Sequence, residues 1–421
     1  MVVLLVAVQF THIVDFVVMM PLGPKLMRAF HIDTTQFGIL VSAYTFSAAI
    51  SGLLASFLLD RFDRKRALLG LYLGFSISTL FCALSGAFMP LLIARIFAGS
   101  FGGILSALAL AIIGDYIPFE RRGKATGAVM SAFSLASVIG VPIGLWLAEA
   151  SDWHAPFFLL AITSLPIMAG VWVLMPPLRL HLDTPKLLSP WNQVKAVGLA
   201  RAPQQALAWM AIMMMAGFSV IPYISTYLVY NAGLPEDQLA WIYLVGGVLT
   251  FGAANLSGRL SDKFGSFRVF WIAALISIIP ILIITQLGVS SMPIILLVTS
   301  FFMAFLSARL VPMINLVTNT VPPHQRGTFM SLTAAVQQMS AGLAALIAGK
   351  LVSELPNHNL AGFDTVGFFA IGSTLLAIPI GAHLKNLLNH QKLSESFVPP
   401  PPLQDTDQSA NELHTIPESS K

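Results

Sequence analysis

Apolar residues run along this chain in long blocks separated by short clusters of charge. Val2 to Met20 carries one acid, and Val269 to Leu287 carries no charge. Blocks of about 20 apolar residues match a helix that crosses a bilayer. Twelve such helices are predicted, over roughly 2–24, 36–59, 67–89, 90–117, 124–149, 155–177, 206–230, 238–259, 269–288, 291–320, 327–350 and 361–388. The long internal connection lies between the sixth and seventh. It follows Pro177 and holds Pro185, Pro190 and Pro203, which suit a linker. The pattern predicts an all-α membrane protein with twelve transmembrane helices in two pseudo-symmetric six-helix bundles. Residues 1–177 form the amino-terminal bundle, 178–205 a cytoplasmic linker, and 206–390 the carboxy-terminal bundle. Residues 391–421 are polar, contain Pro399-Pro-Pro-Pro402 and read as a disordered cytoplasmic tail.

The composition agrees: 56% of the chain is hydrophobic and 10% charged, against about 25% charged in soluble domains. The first block lacks a basic leader and carries His12 and Asp15, so a cleaved signal is not expected. Cys82 is the single cysteine, which excludes an intrachain disulfide. The predicted spans leave 18 Lys/Arg on the side of both termini and three on the other (Lys25, Arg28, Lys350). The positive-inside rule then places both termini in the cytoplasm, here of a bacterial inner (plasma) membrane.

A charged passage occurs twice. Ser56-Phe-Leu-Leu-Asp60-Arg61-Phe62-Asp63-Arg64-Lys65-Arg66 returns 202 residues later as Gly258-Arg-Leu-Ser-Asp262-Lys263-Phe264-Gly265-Ser-Phe-Arg268. Ile117-Pro118-x-x-x-Arg122-Gly123 returns 204 residues later as Val321-Pro322-x-x-x-Arg326-Gly327. Fused half-proteins in a membrane chain point to a transporter. No Gly-x-x-x-x-Gly-Lys-Ser/Thr loop is present for a primary pump. No His, Cys and acid cluster converges on an enzyme site.

Asp15, Arg95 and Arg309 fall inside spans, where charges are costly and line cavities or pair. Asp15 lies past the midpoint of the outward first span, and Arg95 in the outer third of the inward fourth. A contact between them is feasible. His12 stands three residues before Asp15, and Gln9 continues that face. A histidine beside an acid can hold a proton near neutral pH. Asp15 is therefore the expected proton acceptor, modulated by His12 and released by Arg95; a static ion pair is the alternative. Arg309 has no acid deep in its half. It can face a cavity and an anionic solute, or hydrogen-bond helix carbonyls. Gln9, Asn315, Gln337 and Gln338 are weaker cavity candidates. Trp153 and Trp241 read as interfacial anchors.

The passage from Ser56 to Arg66 resembles motif A of the major facilitator superfamily, with Ser56 and Asp63 at its two glycine positions. Leu91-x-x-x-Arg95-x-x-x-Gly99 resembles motif B of the drug/proton antiporter branch. Gly140-Val-Pro142-Ile-Gly144 is similar to motif C of sugar- and drug-efflux members. The resemblance covers about residues 1–390. It implies a cytoplasmic gate in which Asp60 docks on the start of span 11, with Arg64 shared by Asp115 and Asp262 a weaker echo. It also implies that Gly140, Pro142 and Gly144 form a hinge where span 5 meets span 8.

The expected function is secondary active transport of a small organic solute by alternating access, with proton-coupled efflux first. Uptake symport or uniport of a small metabolite is the runner-up, and a non-transporting receptor comes last. No cofactor, metal or nucleic acid is expected. The partners are a small-molecule substrate, protons and the lipid bilayer, and the chain is expected to work as a monomer.

Overall fold

The computed structural model describes residues 1–58, 62–179, 198, 200–322, 325–356 and 359–396. Among the described residues, eleven helices are long and apolar enough to cross a membrane, and a bent helix pair at the start makes twelve. Span 1 comprises Val2–Val18 and Gly23–Phe30, bent by 59°. Span 2 is Thr34–Leu58, span 3 Arg64–Leu84 and span 4 Phe88–Tyr116. Span 5 runs from Phe119–Leu135 through a π-turn at Ala136–Gly140 into Val141–Ala150, and span 6 is Ala155–Leu174. Span 7 comprises Arg201–Phe218 and Ile221–Tyr230, and span 8 is Leu239–Phe264. Spans 9 to 12 are Ser266–Ile284, Met292–Thr318, Arg326–Leu351 and Phe363–Ser396. The short strands Ser353–Glu354 and Leu360–Ala361 pair antiparallel between the last two spans.

Proline accounts for the interruptions. Pro21, Pro142 and Pro222 lack the N–H that would continue the helical ladder. Spans 1 and 7 break around the first and third. Just before the second, the Val141 N–H reaches back five residues to the Ala136 carbonyl. Large apolar side chains such as Val3, Phe81, Ile162, Leu174 and Ile279 stand exposed on the outside, as lipid-facing helices require.

Some boundaries differ from expectation. Span 8 continues to Phe264, so Arg259, Asp262 and Lys263 lie on its last turns. The chain turns at Gly265, whose φ of 90° favours glycine. Span 12 continues to Ser396, past the predicted start of the tail. The rest of the tail, most of the linker and Asp60 lie outside the described residues. Trp153 is no interfacial anchor; it is buried, stacked on His154 and edge-on to Phe30.

Span 2 packs on span 11, and span 5 on span 8, across the seam between halves. At the end opposite the termini, one apolar core takes Val18, Leu22, Phe37 and Tyr44 from the first half and Tyr223, Tyr227, Ile242 and Ala345 from the second. At the terminal end the cores are separate. One holds Leu5, Val8, Leu68, Phe75 and Ile112; the other holds Ala206, Trp209, Phe270, Phe329 and Leu384. The seam is thus closed at the far end and divided at the terminal end.

Candidate functional site

The first half buries an ion pair. Asp15 and Arg95 have no solvent exposure, and Arg95 Nη1 donates to Asp15 Oδ2 at 2.8 Å and to the Asp15 carbonyl at 3.2 Å. Thr79 on span 3 donates to the other carboxylate oxygen at 3.3 Å. Arg95 Nε and Nη2 have no hydrogen-bond partner among the described residues; the guanidinium instead lies 4.4 Å from the centre of the Tyr44 ring, a cation–π contact. Removing one member of such a pair strands the other charge, at about 3–5 kcal/mol. The depth of each residue in its span predicts the contact, and the structure brings the two together.

His12 has other company. Its Nε2 hydrogen-bonds Gln9 and, at 3.0 Å, Ser106 of span 4. Its Nδ1 is buried without a partner among the described residues. The i, i+3 spacing leads to the expectation that His12 serves Asp15. The structure corrects this, because the Gln9 amide and the Ser106 hydroxyl occupy the imidazole while Thr79 and Arg95 occupy the carboxylate.

Arg309 is 1% exposed and faces no open solvent. Nor does it reach helix carbonyls. Its Nη1 donates to Ser277 Oγ on span 9 and Thr374 Oγ1 on span 12, each at 3.1 Å. Gln337 is half-buried, its amide 3.2 Å from Met210 Sδ. Asn315 and Gln338 are half-buried with no side-chain hydrogen bond among the described residues.

The expected hinge is built differently. A Cβ on Gly140 would strike Val14, and one on Gly144 would come within 2.7 Å of Val18 Cγ2. These glycines therefore let span 5 approach span 1 in its own half, not span 8. The contact with span 8 falls to Ser137 and Val138 against Gly247, where an added Cβ would lie 2.9 Å from the Ser137 carbonyl oxygen. Trp146 and Trp241 meet edge-on beyond it.

At the terminal end, Arg64 Nε donates to Asp115 Oδ2 at 3.1 Å, the pairing that the motif resemblance implies. Arg64 does not extend span 2, however. It opens span 3, and Asp63 is the N-cap, accepting from the Lys65 N–H at 2.9 Å and the Arg66 N–H at 3.3 Å. Asp63 also accepts from Arg179 Nε at 3.0 Å, while Lys65 Nζ donates to the Trp172 and Met175 carbonyls that end span 6. Burial pushes the Asp63 carboxyl up, but Arg179 and the Arg66, Leu178 and Lys65 N–H groups outweigh it and hold the carboxyl below its ordinary value. With φ of −53° the position needs no glycine. Asp262 is exposed and makes no ion pair among the described residues.

Sequence reasoning missed the seam. Tyr223 Oη lies 2.9 Å from the Ala345 carbonyl and 3.2 Å from that of Thr34, in a slot lined by Gly38 and Gly349. Thr34 Oγ1 donates to the Val352 carbonyl at 2.6 Å. Farther out, Arg28 Nη2 donates to Glu236 Oε2 at 2.8 Å across the seam, and Lys25 pairs with Glu149 at 2.8 Å and Glu236 at 3.6 Å. Only Lys25 and Arg28, two of the three basic residues on the sparsely charged side, hinted at this belt.

The Major Facilitator Superfamily family model matches the chain over residues 5–345 and again over 207–407. An "Uncharacterized MFS-type transporter YceJ" of Bacillus subtilis is 26% identical over 88% of this chain and 93% of its own. A "Probable sugar efflux transporter" of Helicobacter pylori (strain G27) is 24% identical over 58% of this chain and 62% of its own. The crystal structure of a D-xylose-proton symporter superposes with a TM-score of 0.75 and 19% identity, covering 89% of this chain and 96% of that one; at that identity the likeness is one of fold. Two fused six-span halves, an ion pair buried beside their seam and a family model matched over most of the length make this chain a transporter of the Major Facilitator Superfamily.

Proposed function

We propose that the chain exports a small organic solute in exchange for protons, by rocking its two halves about the seam. The observation that carries this reading is the Asp15–Arg95 pair, fully buried one residue from Phe16, whose ring stacks on Phe218 of the other half at 6.2 Å. A carboxylate held by Arg95 has little use for a proton; one pulled from Arg95 into an apolar setting has much. A change at the seam that parts the pair would therefore take up a proton, and re-pairing would expel it. Gln9, His12 and Ser106 form a polar patch below the pair for solute or proton passage. The name of the Helicobacter relative supports the direction of transport.

With both termini in the cytoplasm, as the Lys/Arg bias favours, the divided end faces inward and the closed seam outward. Asp60 is then the proposed cytoplasmic latch, with Asp115 holding Arg64 and Asp262 a minor counterpart. The chain works as a monomer in a bacterial inner membrane, since the passage lies between halves of one polypeptide. The test is solute flux in proteoliposomes with an imposed pH gradient. Asp15→Asn is expected to bind solute but to lose the response to the gradient. Gradient-driven flux that survives in this variant rules out the role of Asp15.

A further inference from the structure

The second half buries a cation without an acid. Ser277 Oγ donates its hydrogen to the Ala274 carbonyl at 2.7 Å, and Thr374 Oγ1 donates to Ala370 at 2.8 Å. Both hydroxyls therefore offer lone pairs to Arg309 Nη1. Arg309 Nε and Nη2 have no acceptor among the described residues, and no carboxylate pairs with the guanidinium. The Nε–Nη2 edge is a fork that fits a carboxylate or phosphate in two parallel hydrogen bonds. A charge left unpaired in a membrane bundle costs several kcal/mol.

A methyl group fits beside the fork. A Cβ placed on Gly217, at the break of span 7, would lie 3.9 Å from Nη2 and 3.4 Å from Leu306 Cδ2, in ordinary contact. At the 202-residue offset of the repeated passage, Gly217 stands at the position of Asp15, and Phe218 at that of Phe16. The two phenylalanines stack across the seam, so the correspondence is spatial as well. In the first half an aspartate at this position answers a buried arginine; in the second a glycine stands there beside Arg309, which lies twelve residues past the equivalent of Arg95.

We infer that Arg309 and Gly217 form the seat for an anionic group, a carboxylate or phosphate, of the transported solute. This deepens the reading of the chain as a small-solute carrier and rests on it. Thermal unfolding of the full chain in detergent, without any gradient, tests it. The probes are benzoate with benzamide, hexanoate with hexanamide, and butyl phosphate with butanol, with chloride and inorganic phosphate as further arms. Acids are expected to raise the Tm of the wild type above their neutral partners. Arg309→Met should abolish the difference while unfolding cooperatively at or above the wild-type Tm, and Arg309→Lys should retain it with at least tenfold weaker apparent affinity. Gly217→Ala, which meets no atom closer than 3.4 Å and should fold, should also bind acids at least tenfold more weakly. Asp15→Asn should keep the preference, which separates this inference from proton coupling. No acid outperforming its neutral partner, or a preference unchanged in Arg309→Met or Gly217→Ala, overturns it. A response to chloride or inorganic phosphate alone also overturns it, assigning the seat to a free ion.

Discussion

Adding one methyl group at Gly38 should open the closed end of the seam. A Cβ there would collide with the Tyr223 hydroxyl and lie 2.9 Å from the Ala345 carbonyl oxygen. The first obstacle is a ring wedged between spans 2, 7 and 11, and the second is backbone; neither can move without separating the halves. Overpacking of this kind costs about 1–3 kcal/mol, and the displaced Tyr223 hydrogen bond adds about 1 kcal/mol. Their sum of about 2–4 kcal/mol, all of it borne by the closed seam, shifts the ratio of closed to open forms by at least about 30-fold. Spin labels at Ala29 and Ser353, exposed on opposite halves at this end, would report the separation by pulsed electron resonance; the native Cys82 is buried and stays unlabelled. Gly38→Ala should move population from the short to the long distance. Tyr223→Phe in the same chain should restore part of the short distance, because the backbone contact remains. Gly252→Ala, with open space around it, should change nothing. An unaltered distance distribution in Gly38→Ala would refute the idea that the glycine slot holds the seam.

Two further outcomes follow from charges at the ends of the spans. Arg28→Glu should lengthen the same spin-label distance by setting two acids together across the seam, and adding Glu236→Arg should shorten it again; half-exposed pairs contribute about 0.2–1 kcal/mol, so a reversal is more telling than a deletion, and a double variant no better than the single one would discount the belt. Asp63 has a lowered folded-state pKa, so its stabilisation is complete above the ordinary carboxylate value and is lost as pH falls through the lowered one; the Tm gap between wild type and Asp63→Asn should therefore hold steady above about pH 4 and shrink below it, and a gap that persists to the lowest measurable pH would discount the capping carboxylate.

The twelve spans were legible because apolar block length is set by the bilayer and not by tertiary detail. The Asp15–Arg95 contact was legible for a related reason: topology fixes the depth of each residue, and two opposite charges at one depth have few other partners. Depth does not fix azimuth, however. His12 and Asp15 share a helix face by spacing, yet span 4 offers Ser106 to one and Arg95 to the other. The same limit applies to Gly140 and Gly144, which mark a close approach without saying to which neighbour. Asp63 shows a different failure. An aspartate just before a helix is an ordinary N-cap, yet a comparison with the motif reads Asp63 only as the occupant of a glycine position. The second copy keeps Gly265, where φ is positive, while the first turns with an ordinary φ and a side-chain cap. The seam glycines Gly38, Gly342 and Gly349 were not legible, because a glycine in an apolar block carries no mark of the partner that needs its missing side chain.

The two copies have diverged at the position where divergence matters most for a carrier. A half that buries both an acid and a base can hold or release a proton by parting them, and it needs nothing from outside to be neutral when closed. A half that buries only a base is complete only when an anion arrives. With Asp15 and Gly217 each one residue from the stacked Phe16 and Phe218, a shift of the seam moves both at once. In the proposed cycle, arrival of an anionic solute at Arg309 and parting of Asp15 from Arg95 would draw on one rearrangement, so that proton and solute are linked through the seam without touching each other. The linkage predicts that Gly38→Ala, which loosens the seam and touches neither arginine, should let protons leak through reconstituted protein in the absence of solute. A proton-tight Gly38→Ala whose spin-label distance has nonetheless lengthened would separate the two halves' chemistry and leave the seam as a hinge alone.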